Sequence, residues 1–134
     1  MSYVDEAEEI MRKISNPKNN KDCNNRDFEG LTTGRLRTLL SVVAPIYNAV
    51  LLDKSKTDDL KPEIVDQIQY ARVQFLYQSG REKDVKELVK AKVTKGKNLL
   101  EKIGDIGSSK KKLIEFYHYM EALVAWRAYL DGSK

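Results

Sequence analysis

Thr32-Thr33-Gly34-Arg35-Leu36-Arg37-Thr38-Leu39-Leu40-Ser41-Val42-Val43-Ala44-Pro45-Ile46-Tyr47-Asn48-Ala49-Val50-Leu51 sets the fold class. At about 100° per residue, Leu36, Leu39, Leu40, Val43, Ile46, Tyr47, Val50 and Leu51 fall on one stripe. Either threonine can cap the free N–H groups at the start. Pro45 lies away from the stripe, where a bend would curve the helix about its core face. A half-buried helix of this length needs other helices to cover it.

Working outward, the rest of the chain supplies them. Tyr3 to Ile14 reads as a short amphipathic helix, with Val4, Ala7, Ile10, Met11 and Ile14 on one face. Asn16 to Asn25 holds five asparagines and a proline and reads as a mobile loop. Asp53 to Lys61 is a polar connection. Pro62 suits the first turn of a further helix, with Ile64, Ile68, Ala71 and Phe75 on one side and Tyr70, Val73 and Tyr77 on the other. Gly80 reads as its stop. From Arg81 one stripe runs through Val85, Leu88, Val89, Val93, Leu99, Leu100 and Ile103, bent at Gly96 and ended by Gly104 and Gly107. Ser108 or Ser109 then caps a last helix, with Leu113, Phe116, Tyr117, Met120, Leu123 and Val124 inward. No stretch alternates with the period of a strand. The expected fold is all-α, a small bundle of about five helices. Residues 1–30 are expected to form a short helix plus mobile loop, and 31–134 the bundle domain.

Composition narrows the function. The chain has 134 residues, 41% hydrophobic and 33% charged, which suits one domain. No wholly apolar run approaches the roughly 20 residues that span a bilayer, and the start lacks the basic and apolar segments of a secretory signal. A single cysteine, Cys23, makes no internal disulfide. A reducing, cytoplasmic setting without membrane is expected. The net charge of +4 is uneven: −2 over residues 1–30, +1 over 31–80 and +5 over 81–134. A basic C-terminal half points to a polyanionic partner.

Candidate chemistry is sparse. His118 is the one histidine and lies far in sequence from Cys23, so neither a nucleophilic pair nor a four-ligand zinc site is expected, and no cofactor. Gly104-Asp105-Ile106-Gly107-Ser108-Ser109-Lys110 fails the P-loop pattern, since no Lys-Ser/Thr follows the second glycine. It also lacks the sheet that accompanies the GXXG of KH domains. A helix–helix turn is the expected reading, although the helix start at Ser108 to Lys112 could hold a phosphate. The carboxylates, Asp58 and Asp59 among them, read as solvated surface charge. Lys83, Lys86, Lys90 and Lys97 fall within about 60° of one helix face, either solvated or set against a nucleic-acid backbone. Arg35, Arg37, Arg72, Arg81 and Arg127 stand at helix edges, where a packed stem carries a guanidinium suited to phosphate.

Three segments resemble a known family when taken together. They are Leu31-Thr32-Thr33-Gly34-Arg35-Leu36-Arg37, Tyr77-Gln78-Ser79-Gly80-Arg81 with the helix before it, and Tyr119-Met120-Glu121-Ala122-Leu123-Val124-Ala125-Trp126. In order and spacing they resemble the small subunit of the type III-A CRISPR effector, the Csm complex, over about Leu31 to Tyr129. The acidic N-terminus is expected to carry none of the match. The resemblance implies a helical, non-catalytic protein, stacked in several copies beside the subunits that hold guide RNA. It implies contact with the backbone of guide RNA and target RNA without base reading. By motif position it implies Arg37, Arg72 and Arg81 as RNA contacts, then Arg127. Arg35, Lys86 and Lys90 are added from the charge pattern. Tyr119 and Trp126 are open to subunit stacking or core packing. The competing expectation is a helical protein–protein adaptor anchored by Tyr70, Val73, Tyr77 and Trp126, without RNA contact.

Overall fold

The computed structural model describes residues 3–15, 33–54, 56–92 and 96–130. The Asn-rich stretch and Cys23 lie outside the described residues. Among those described, six helices form the expected all-α bundle: α1 (Tyr3–Ser15), α2 (Thr33–Leu52), α3 (Pro62–Arg81), α4 (Lys83–Lys90), α5 (Leu99–Asp105) and α6 (Lys110–Leu130). Helix α6 packs against α1, α2 and α5, while α3 bridges α2, α4 and α5. One core joins them, built on Ile10, Met11, Leu36, Leu39, Phe75, Leu88, Ile103, Leu113 and Met120, all nearly inaccessible.

Helix α2 is long and apolar enough to cross a membrane by length and composition alone. Its apolar stripe has another use here, because Leu36, Leu39, Val43, Ile46 and Val50 are buried in the bundle. Pro45 lies exposed within the helix. Its ring removes one backbone hydrogen bond, the one to the carbonyl of Ser41, and Ser41 is also exposed. Helix α3 starts at Pro62, after an extended Lys61.

Three boundaries differ from the sequence reading. Ala7, Ile10 and Met11 of α1 lie in the common core, so the division expected at residue 30 does not separate α1 from the bundle. Gly80 does not stop α3, which runs one residue further. The stop is the extended backbone of Glu82 (φ −123°, ψ 118°), a single residue between α3 and α4. The single helix expected from Arg81 to Ile103 is two helices. Asn98 starts the second by a capping box: its Oδ1 accepts from the Glu101 N–H (2.9 Å), and Glu101 Oε1 accepts from the Asn98 N–H (3.0 Å).

The turn into α6 contains Gly107 in the left-handed region (φ 54°). The polar connection 53–61 docks on this turn. The Leu60 N–H donates to the Ser108 carbonyl (2.8 Å), and the Lys110 N–H donates to the Asp58 carbonyl (2.7 Å). Leu60 itself is buried, so the connection closes the base of the bundle.

Candidate nucleic-acid interface

The helix start at Ser108 to Lys112 is occupied from within the chain. Asp58 Oδ1 accepts the Lys111 N–H (2.8 Å), Asp58 Oδ2 accepts the Ser109 hydroxyl (2.7 Å), and Ser109 Oγ accepts the Lys112 N–H (3.2 Å). The Lys111 N–H, then the Ser109 hydroxyl, hold the Asp58 carboxyl below its usual range. The stretch is the helix–helix turn that the sequence leads one to expect. The option of a phosphate at this helix start gives way, because an internal carboxylate, that of the exposed Asp58, already meets the donors and the positive end of the helix dipole.

The cations divide by what they touch. Lys97 pairs with Asp105, Lys102 with Glu6 (2.8 Å), Lys110 with Asp53 (3.9 Å) and Arg35 with Glu82 (3.3 Å). The pair with Asp105 raises the Lys97 pKa and lowers that of Asp105. Lys102 also lies over the Tyr119 ring, 4.8 Å from its centroid. Lys97 therefore leaves the expected lysine row twice over, since it sits outside α4 and is engaged by a carboxylate.

Arg37, Arg81, Lys83, Lys86 and Lys90 are exposed, with no ion pair among the described residues. On α4, Val85, Leu88 and Val89 turn inward, and Lys83, Lys86 and Lys90 occupy an outer sector of about 60°. The Arg35–Glu82 pair pins the start of α2 to the α3–α4 corner. That contact brings Arg35, Arg37, Arg81, Lys83 and Lys86 to one end of the bundle. Arg37 is two residues from Arg35 and so points about 160° away from it around α2.

Arg72 belongs elsewhere. Nine residues separate it from Arg81 on one continuous helix, which places the two on opposite sides, about 13 Å apart along the axis. The Arg72 guanidinium lies over Gly104, where a Cβ would sit 3.5 Å from Cζ. With Lys97, Glu101 and Asp105 it lines a cleft of about 360 Å³.

Arg127 is 3% exposed, and a buried guanidinium does not reach a passing phosphate. This corrects its reading as an edge residue. The signal was in the spacing: Leu113, Phe116, Met120, Leu123 and Arg127 continue one stripe at three- and four-residue steps. Tyr119 is buried as well, which raises its hydroxyl pKa, and it packs in the core. Trp126 is half-buried, with Arg12 5.6 Å from its ring centroid. His118 is half-buried beside Glu121 (Nδ1 to Oε1, 3.2 Å) and next to the stacked rings of Tyr47 and Tyr117. Among the described residues no group of three or more His, Cys, Asp and Glu could hold a metal ion.

The family described as Csm2 Type III-A matches residues 12–133. The chain belongs to the Csm2 family of type III-A. A protein named "CRISPR system Cms protein Csm2" from Mycobacterium tuberculosis is 40% identical over 129 residues, 96% of this chain and 91% of that protein. Proteins of the same name from Streptococcus thermophilus and Enterococcus italicus are 35% and 33% identical. They cover 98% and 74% of this chain, and 93% and 67% of their own lengths. The similarity to Csm2 thus takes in the acidic N-terminal segment, against the expectation that it begins near Leu31. The burial of α1 gives the reason, since a helix that completes the core belongs to the same fold.

Proposed function

We propose that this Csm2-family chain is a non-catalytic small subunit of a type III-A CRISPR ribonucleoprotein in the cytoplasm. Copies stack along the guide RNA and touch the backbone of the guide–target duplex without reading bases. Family membership carries the first part. The group at one end of the bundle supports the second: Arg37, Arg81, Lys83 and Lys86 are exposed and have no ion pair among the described residues. Exposed cations with flexible stems suit a partner of uniform charge and variable sequence, because base pairing already carries the sequence information. Each subunit needs few such contacts, since copies on one strand act together. Arg72 and Lys90 are secondary contacts, one on the far side of α3 and one further along α4. Arg35 acts through Glu82, holding the corner in place.

Target-RNA binding by the assembled complex across a salt series tests the reading. Arg37→Ala and Arg81→Ala are expected to weaken binding equally for unrelated target sequences. Each cation removed per subunit lowers the salt slope by roughly one for each copy in contact. An unchanged slope in the double variant overturns the assignment of these residues.

A further inference from the structure

The seam between α2 and α6 carries apolar surface that no described element covers. Two contacts fix its register. Tyr47 of α2 stacks on Tyr117 of α6, with ring centroids 3.9 Å apart, and Asp53, just beyond α2, reaches Lys110 (3.9 Å). Leu51 on α2 and Ile114 on α6 lie between these contacts, each about one turn from its ring, so the two helices carry them side by side. Leu51 is 56% exposed and Leu52 81%, while Tyr47, Ile114 and Tyr117 are half-buried. Large apolar side chains gathered at one seam and open to water mark a contact surface. At the base of the bundle the seam opens into a cleft of about 350 Å³, lined by Lys56, Lys110, Lys111, Ile114 and Glu115 among others. The charges beside it are unequally engaged. Asp53 faces Lys110, Asp58 starts α6, and Glu121 lies beside His118. Lys56 and Lys111 are exposed and have no ion pair among the described residues. An apolar strip with ammonium groups at one end is complementary to apolar side chains followed by carboxylates.

We propose that this seam docks an acidic amphipathic segment of a different subunit, an inference that rests on the chain's place in a larger complex. Apolar side chains of that segment lie on Tyr47, Leu51 and Ile114, and its carboxylates reach the Lys56 and Lys111 ammonium groups. Apolar anchors along a groove are a recurring mode for such a segment. The apolar contact supplies affinity, and the lysines set partner and direction. Glu115 stands one turn further along α6 than Lys111 and repels a carboxylate placed there, so the acidic end of the segment points to the base of the bundle. RNA fits this seam less well. Leu51 and Leu52 offer nothing to phosphate, and the Tyr47 and Tyr117 rings are closed on each other. A second copy also fits less well, because the carboxylates beside its own seam, Asp53, Asp58 and Glu121, are engaged within the chain. Leu51 lies about 21 Å along α2 from Arg37, so the docked segment leaves the cations at the other end of the bundle open.

Carbodiimide treatment of the purified complex tests the docking, since it joins an ammonium to a carboxylate only where the two touch. Peptide mass spectrometry is expected to find Lys56 or Lys111 joined to an Asp or Glu of another subunit, and that adduct identifies the partner. Adducts confined to carboxylates of this chain's own sequence overturn the proposal, as does ultraviolet coupling of Lys56 or Lys111 to RNA. The double reversal Lys56→Glu with Lys111→Glu is expected to reduce retention of the chain in the complex at least about tenfold. Lys56→Arg with Lys111→Arg is expected to keep it, and Leu51→Asp to lose it as the reversal does. Circular dichroism of the free variants checks that these exposed substitutions leave the fold intact. Retention of the reversed variant at the wild-type level sinks the docking site alone, because wild type is still held and the chain remains a subunit. A wild type that never joins the complex sinks the subunit reading and the docking site with it.

Discussion

Asp58 is exposed, yet its carboxylate is the acceptor that starts α6. Its folded pKa is lowered. Its stabilising contribution is therefore present above the ordinary carboxylate pKa of about 4 and is lost as pH falls through the lower folded value. Asp58→Asn is expected to lower the thermal midpoint at neutral pH. The gap to wild type should close on acidification, as followed by circular dichroism. A gap constant down to strongly acid pH would show that the charge is not what caps the helix. Sequence could not show this role, because the donors lie 51 and 53 residues away. Arg127 is the opposite case, legible from its spacing but hidden by the usual reading of arginine as a surface residue. Arg127→Ala is expected to lower the midpoint and leave the salt slope of RNA binding unchanged. A changed slope at unchanged stability would return Arg127 to the interface.

At the scale of elements, periodicity located most helices and misjudged their limits. The apolar stripe of α4 resumes in α5, so spacing alone joins them. The Asn98-Leu99-Leu100-Glu101 capping box was the visible sign that a new helix begins. Helix α1 was legible as amphipathic, but a moment says only that one face is buried, not what buries it. The partner is α6, and Ile10 and Met11 are as inaccessible as any residue in the core. Ile10→Ala is accordingly expected to cost about 2–5 kcal/mol in chemical denaturation, the range for large-to-small changes in a packed interior. A cost below about 0.5 kcal/mol, typical of surface positions, would mean that α1 does not complete the core.

Over the whole molecule, the all-α class was readable because apolar residues recur at helical and never at strand spacing. Which cations gather was not readable. Arg72 and Arg81 share a motif and a helix but stand on opposite sides of it, whereas the start of α2, which carries Arg37, is tied to the α3–α4 corner, which carries Lys83, by the pair of Arg35 with Glu82. The connection between α2 and α3 shows the same dependence on tertiary contact. It looks like a surface loop, yet its backbone is bonded to the turn before α6. Backbone amides in ordinary loops trade their protons for deuterium within moments. Those of Leu60, Lys110 and Lys111 are expected instead to keep theirs until the bundle opens as a unit, with protection close to that of Phe75 or Met120. Mass spectrometry after deuterium labelling would read this directly. Early labelling of Leu60 and Lys110 would show that the base of the bundle opens on its own.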